Sequence, residues 1–259
     1  MSPLVMGVLN VTPDSFYDGG RYADTDAAVA HGLEMVAAGA DVVDIGGEST
    51  RPGAAPVDEA EELRRVVPVV EALAPHVRVS VDTSKVAVAE AAVAAGASLV
   101  NDVSASLHEL AAAAGVGWVA MHRRGTPSTM QVDPRYDDVV SEVRRFLIER
   151  AEAAVAAGVD EVWIDPGIGF GKLVEHNLAL LRHLEVLVAT GYPVLVGTSR
   201  KAFLGVITGA AAEDRLEASL ATAVHAMVAG AAMVRVHDVA ATVQAARLVS
   251  GSSGAELAA

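Results

Sequence analysis

The chain has 259 residues, 52% of them hydrophobic and 20% charged, with 23 glycines and no cysteine. That composition belongs to a globular protein with one substantial core, and the missing thiols exclude disulfides and cysteine nucleophiles. A formal net charge of −14 opposes general nucleic-acid binding, which needs a Lys/Arg surface.

The mean hydropathy of +0.38 comes from Ala and Val spread in short runs. No run of about 18 apolar residues is available to span a bilayer. Residues 1–10 also lack the basic segment and apolar core of a signal peptide. The expectation is a cytoplasmic protein whose partners are small molecules, with neither nucleic acid nor membrane among them.

LVMGVLN (4–10) reads as the first strand, followed by a loop, NVTPDSFYDGG (10–20), and a helix near 25–39. A phrase then repeats along the chain: an Ala-rich helical stretch, a glycine, and a short apolar strand. It occurs as VAAGADVVDIG (36–46), VAAGASLVND (93–102), AAGVGWVAMH (113–122), VAAGVDEVWIDPG (155–167), VATGYPVLVG (188–197) and VAGAAMVRVH (228–237). Glycine just past a helix supplies the left-handed cap, and a Val/Ile/Leu-rich run suits a strand covered on both faces.

With VRVSVD (77–82), the predicted strands number eight: 4–10, 41–46, 77–82, 98–101, 117–121, 161–165, 193–197 and 232–236. Helices are predicted near 25–39, 58–74, 84–95, 105–114, 136–157, 173–189, 200–207 with 214–229, and 238–249. Eight β-then-α units predict a single (β/α)8 barrel over residues 1–250 and a frayed tail at 251–259. A Rossmann-like sheet is the alternative, but no GxGxxG follows the first strand.

In such a barrel the site lies where the strands end. The residues there are Asn10, Asp44 with Glu48, Asp82, Asn101 with Asp102, Met121 with His122, Asp165, Ser199 to Lys201, and Arg235 with His237. Asp102 and Asp238 precede helices and read first as caps. Taken together, Asp82, Asn101, Asp165 and Lys201 suit a flat, nitrogen-rich ring. Arg235 and His237 suit an anion such as phosphate, although Arg235 has a structural alternative in pairing with a neighbouring carboxylate. All three lysines, Lys85, Lys172 and Lys201, directly follow predicted strands. The loops 10–20 and 46–54 are candidate lids over the site. No Ser-His-Asp arrangement, Walker loop or His/Cys metal cluster is visible, and Asn10 is the one weak hint of Mg2+.

NVTPDSFYDGG, ESTRPGA, VDTSK, NDVS, DPGIGFGK, GTSRKAFLG and RVHDV, in this order, resemble the dihydropteroate synthases from about Met6 to Ala245. The resemblance implies a TIM-type barrel joining 6-hydroxymethyl-7,8-dihydropterin diphosphate to para-aminobenzoate, the folate-forming transfer that sulfonamides block. It implies Mg2+ at Asn10 and a pterin held by Asp82, Asn101, Asp165 and Lys201, with Met121, Phe170 and Gly197 around the ring. Thr50, Arg235 and His237 would contact the diphosphate, with Asn10 beside it. Phe16, Arg51, Pro52 and Ser199 would shape the aminobenzoate pocket. Lys201, Asp165 and Arg51 are the implied catalytic residues, and a homodimer is implied as well.

The chain departs from the family pattern in three places. NDVSAS lacks a customary glycine pair, Tyr17 stands where Ser is common, and Arg123 and Arg124 add charge at the rim. Two alternatives are a methyltetrahydrofolate:corrinoid methyltransferase-like barrel and a catalytically silent pterin-binding paralogue. The methyltransferase would have no use for the first two loops or for the SRK arrangement.

Overall fold

The computed structural model describes residues 2–12, 21–49, 56–126 and 129–251. Eight strands alternate with helices: β1 (Leu4–Asn10), β2 (Val42–Gly46), β3 (Arg78–Asp82), β4 (Leu99–Asp102), β5 (Gly117–Met121), β6 (Val162–Asp165), β7 (Leu195–Val196) and β8 (Met233–Val236). The described helices are α1 (Arg21–Ala37), α2 (Glu59–Leu73), α3 (Val86–Ala94), α4 (His108–Ala114), α5 (Val139–Ala157), α6 (Val174–Arg182), α7 (Glu185–Val188), α8 (Ala202–Thr208), α9 (Leu216–Val228) and α10 (Val239–Val249).

All strand pairs are parallel, in the order β6-β5-β4-β3-β2-β1-β8-β7. The two remaining edges meet at a parallel bridge between Ile164 and Val194, where the Ile164 N–H donates to the Pro193 carbonyl at 3.0 Å. One bridge closes the barrel at this seam because β7 is shorter than the predicted 193–197. Pro193 has no N–H to give to a ladder. The predicted helix 173–189 is two helices, since the chain turns at His183 (φ −115°, ψ 33°). The turn keeps Leu184 and Leu187 fully buried, which a straight continuation of α6 would not require.

The repeated glycines do what the repeat implied. Gly39, Gly96, Gly115, Gly158, Gly191 and Gly230 all have positive φ at the junction into the next strand. Asp58 and Asp138 cap α2 and α5 with side-chain oxygens on Ala60 N–H (2.8 Å) and Val140 N–H (3.1 Å).

Strand alternation organises everything else. Val5, Leu9, Val43, Ile45, Val79, Val81, Val100, Trp118, Ala120, Ile164, Val196 and Val234 point outward into one large core beneath the helices. The alternate residues point into the barrel. Met6, Val42, Leu99, Val119, Trp163, Leu195 and Met233 form a separate apolar layer there. One step further along the same strands, towards their C-terminal ends, lie Asp44, Asp82, Asn101, Met121, Asp165, Gly197 and Arg235. The pocket floor is therefore hydrocarbon except for the buried Ser80 of β3 beside Leu99, and its walls are polar.

Candidate active site

Six charged or amide side chains converge above that floor, and four of them are almost fully buried: Asp44, Asp82, Asn101 and Asp165. Arg235, from β8, divides its guanidinium between two of them. Its Nε donates to Asp44 Oδ2 at 2.6 Å, and its terminal nitrogen donates to Asp82 Oδ2 at 2.8 Å. Asn101 donates from Nδ2 to the same Asp44 oxygen at 2.9 Å. Among the described residues, the second oxygens of Asp44 and Asp82 and the amide oxygen of Asn101 are buried with no hydrogen-bond partner in the protein. Leaving such acceptors unpaired costs about 1–3 kcal/mol each. That energy is recovered by a ligand that brings N–H groups to them.

Asp165 closes the other side of the pocket, its Oδ1 accepting from Gly167 N–H at 2.7 Å. Lys201 Nζ reaches across to the Ile168 carbonyl and sits 4.6 Å above the Phe170 ring. Gly197 leaves the wall bare between them: a Cβ there would stand 3.6 Å from Arg235 Cβ and 3.9 Å from Lys201 Nζ. Phe170, Lys201 and the two acids thus frame a flat slot.

The electrostatics follow from this crowding. Burial pushes Asp82 up to about 7, with Asp44 adding to the rise and Arg235 opposing it. Burial likewise raises Asp165, against the pull of Lys201. Lys201 is lowered by burial to about 8, while Asp165 supports its charge. Arg235 is raised by its two carboxylates despite its burial. Burial thus draws Asp82, Asp165 and Lys201 toward neutrality around an Arg235 that keeps its charge, a perturbed set of the kind that clusters at functional sites.

Ser199 and His237 stand together on the same rim. Ser199 Oγ accepts from the His237 N–H at 3.1 Å and lies 3.0 Å from His237 Nδ1. Between Ser199 and Lys201, Arg200 adopts a left-handed φ of 57°, an uncommon conformation for a residue with a side chain. Its guanidinium is held by Asp238 in a two-point pair (2.6 and 3.0 Å), and its N–H donates to Ser219 Oγ at 2.9 Å.

Of the residues singled out from sequence, Asp82, Asn101, Met121, Asp165, Phe170, Gly197, Lys201 and Arg235 share one pocket. Asn10 ends β1 in register with Gly46, next to Asp82 on β3. Phe16, Thr50, Arg51 and Pro52 lie outside the described residues, as do Tyr17 and most of both candidate lid loops. The helix cap expected of Asp102 is absent, since α4 starts only at His108 after Leu107; Asp102 instead braces the preceding turn, accepting from the N–H groups of Ser104, Ser106 and Leu107 and from Trp118 Nε1 (2.8, 2.6, 2.7 and 3.2 Å). The cap expected of Asp238 is absent. It makes no side-chain bond to α10, because Arg200 takes both its oxygens. The carboxylate pairing weighed as an alternative for Arg235 is what the protein contains.

Asp44 carries more of the site than its sequence position suggested. Asp44 is the shared acceptor for Arg235 and Asn101, and alternation from Val42 would have marked it as inward-facing. The three departures from the family pattern have local outcomes only where they are described. Ala105, in NDVSAS, sits at φ 52°, where glycine is at ease. Arg124 pairs with Glu142 at 2.7 Å and stacks 3.9 Å from the Tyr136 ring centre.

Comparison with known proteins agrees with this geometry. Residues 6–237 match the family described as pterin binding enzyme. The dihydropteroate synthase of Mycobacterium leprae (strain TN) is 50% identical, covering 95% of this chain and 92% of its own. The Xanthomonas albilineans dihydropteroate synthase solved with 4-aminobenzoic acid superposes with a TM-score of 0.90 at 50% identity, covering 96% of this chain and 92% of that one. The Yersinia pestis dihydropteroate synthase solved with a sulfonamide drug gives 0.90 at 47% identity, with 100% and 95% covered. A barrel closed by eight parallel strands, a buried Asp/Asn/Lys pocket at their ends and these matches place the chain in the pterin-binding enzymes, as a member of the dihydropteroate synthase family.

Proposed function

We propose that the chain joins the amino nitrogen of para-aminobenzoate to the exocyclic methylene of 6-hydroxymethyl-7,8-dihydropterin diphosphate. The products are pyrophosphate and 7,8-dihydropteroate. The observation that carries this reading is the set of buried, unpartnered acceptors on Asp82, Asn101 and Asp44 facing a slot edged by Lys201 and Phe170. A dihydropterin offers ring N–H and amino donors on one edge to match them, and its flat face suits Phe170. Its ring oxygen and nitrogen acceptors suit Lys201.

In the reaction the C–O bond to the diphosphate breaks, its electron pair leaving with oxygen. The methylene carbon keeps the positive charge, which the electron-rich dihydropterin spreads into its ring. The aromatic amine attacks that carbon and loses a proton to solvent. Asp82, Asn101 and Asp165 orient the pterin; Arg235, His237 and Thr50 supply positive charge and donors to the departing diphosphate. A diphosphate would compete with Asp44 and Asp82 for the Arg235 guanidinium.

Asn10 ends β1 in register with Gly46, which pairs with Asp82, and offers there an amide oxygen of the kind a largely hydrated Mg2+ takes. Asn10 would hold the ion, which when bound neutralises diphosphate charge. Arg51, Phe16, Pro52 and Ser199 would supply the aminobenzoate subsite, the place where a sulfonamide would compete.

A homodimer through the outer helices is part of the same reading. Val206 and Ile207 on α8, with Leu216 on α9, are large apolar side chains exposed among the described residues. Light scattering tests it. A cytoplasmic location fits a chain in which no described helix is long and apolar enough to cross a membrane.

The decisive experiment mixes purified protein with the dihydropterin diphosphate, Mg2+ and para-aminobenzoate and measures pyrophosphate release. Release that depends on the amine is expected. Methyl transfer from methyltetrahydrofolate, or pterin binding without release, would replace this reading with the corrinoid or silent alternative.

A further inference from the structure

Lys172 is fully buried, and the chemistry just described makes no use of it. It follows β6 in the segment Pro166–Lys172, and its Nζ is surrounded by oxygen and nitrogen. The Gly167 carbonyl lies at 2.9 Å, the Phe170 carbonyl at 3.1 Å, the His122 carbonyl at 3.2 Å and His122 Nδ1 at 2.9 Å. A side chain that reaches back to carbonyls two and five residues earlier in its own segment bends that segment into a ring. The His122 contacts fasten the ring to the end of β5.

The backbone has been shaped to permit this. Gly167 (φ 62°) runs so close to His122 that a Cβ would stand 1.9 Å from the His122 carbonyl oxygen. Gly171 (φ 65°) does the same against Arg124, whose carbonyl oxygen would lie 2.2 Å from a Cβ. Further bonds hold the ring from outside. Gly169 N–H donates to Asn177 Oδ1 at 2.7 Å, and the Tyr136 hydroxyl donates to the Gly171 carbonyl at 2.8 Å. The residues inside the ring are the ones that meet Lys201: the Ile168 carbonyl accepts its Nζ, and the Phe170 ring lies beneath it.

We propose that Lys172 is a positioning residue for the pterin subsite, which it serves by clamping the 166–172 segment so that the Ile168 carbonyl and Phe170 ring receive Lys201. The inference rests on the pterin reading of that slot. Lys172 does not touch the slot itself; it acts through Lys201 and Phe170. The charged or titratable groups around it are Asp165 on β6, Lys201 after β7, and His122 and Arg124 after β5. Burial pulls Lys172 well below the usual lysine range, with Asp165 opposing. His122 is held down to about 3 by burial and then by Lys172 and Arg124, so at neutral pH its ring is uncharged. In either protonation state Nζ retains N–H groups for the carbonyls.

The test uses the fact that Lys85, Lys172 and Lys201 are the only lysines. Protein labelled with 13C,15N-lysine gives three side-chain signals, each assigned by one substitution. In the wild type, Lys172 Nζ protons should exchange with water far more slowly than those of a free lysine, and Lys201 should titrate near 8. In Lys172→Met, the Lys201 midpoint should move up toward the ordinary lysine value as the ring loosens and water enters. KM for dihydropterin diphosphate should rise about tenfold, while KM for para-aminobenzoate stays unchanged. Lys172→Gln, which keeps two N–H donors, should show the same changes to a smaller extent and stands in where the Met variant does not fold.

Wild-type Lys172 protons exchanging as fast as those of free lysine would overturn the clamp. So would an unchanged Lys201 midpoint, with unchanged pterin KM, in whichever variant folds. A wild-type protein without transfer activity would instead overturn the functional reading, and the exchange and titration measurements would still decide the clamp.

Discussion

The two halves of the barrel interior are built from the same strands but solve different problems. At the N-terminal end, Met6, Val42, Leu99, Val119, Trp163, Leu195 and Met233 fill the barrel with hydrocarbon. At that rim Arg78 meets Glu161 at 2.6 and 2.9 Å and Trp163 Nε1 donates to Glu161 at 2.7 Å, while the Ser80 hydroxyl beside Leu99 is a lone buried polar atom without a protein partner among the described residues of this half. At the C-terminal end, one step along each strand, buried carboxylates and an amide are left with acceptors unpaired. The lower half stores stability and the upper half stores binding capacity. The comparison teaches that a closed barrel can keep both in one interior, because strand alternation delivers both sets of side chains to the same axis.

If this division holds, damage to each half has its own signature. Trp163→Ala should have the largest effect on stability, about 3–5 kcal/mol, since it empties the apolar layer and releases Glu161. Denaturant unfolding measures it, and the surviving folded enzyme should keep near-normal KM values. A selective rise in pterin KM would break the division. Lys201→Ala and Asp165→Asn should do the reverse, cutting turnover by about 10²–10³-fold while the melting temperature moves by only a few degrees. Steady-state rates beside calorimetry check this, and near-normal turnover in both variants would remove them from the mechanism.

Asp82→Asn sharpens the comparison through pH. Asp82 is raised from 3.8 to about 7 on folding, so below pH 4 it carries no penalty in either state. As pH climbs from about 4 to 7 the unfolded chain loses its proton first, and the native state is progressively destabilised. The Asn variant should lack this decline and gain of order 1–3 kcal/mol relative to wild type near pH 7.5. It should also bind the pterin more weakly. Parallel stability–pH curves for the two proteins would show that Asp82 is not the cause. The smallest effect is expected from Arg78→Met, whose pair with Glu161 is part-exposed. A loss of about 1 kcal/mol or less, with unchanged kinetics, fits a stabilising rim.

Much of this was legible before any coordinates. The glycine after each Ala-rich helix located the strands, and counting strands predicted the barrel. The residues at their ends named Asp82, Asn101, Asp165, Lys201 and Arg235, and all five meet in one pocket. What escaped notice did so for physical reasons. Asp102 and Asn101 are neighbours of similar chemistry, but opposite faces of β4 send one to the 104–107 turn and Trp118 and the other to the pocket. Asp238 occupies a helix-cap position, yet a residue 38 positions away in sequence, Arg200, claims it. Helix 173–189 breaks at His183 because burying Leu184 and Leu187 outweighs helical continuity. Lys172 looked like any lysine after a strand, since nothing local says that three carbonyls will surround it.

By itself, then, the sequence determined the element order, the barrel and the chemical character of the strand ends. Those depend on local periodicity, glycine caps and residue type, all of which can be read within a few positions. The family membership was equally available, because seven motifs keep their order and place. Only the tertiary structure decided which oxygen pairs with which cation, which acceptors remain for a ligand, and how far burial shifts Asp82 and Lys201. Those are properties of distances between residues as far apart as Asp44 and Arg235, 191 positions in sequence. They are also properties of water excluded from the space between them. A short stretch of sequence encodes neither, since both exist only once the eight strands have closed.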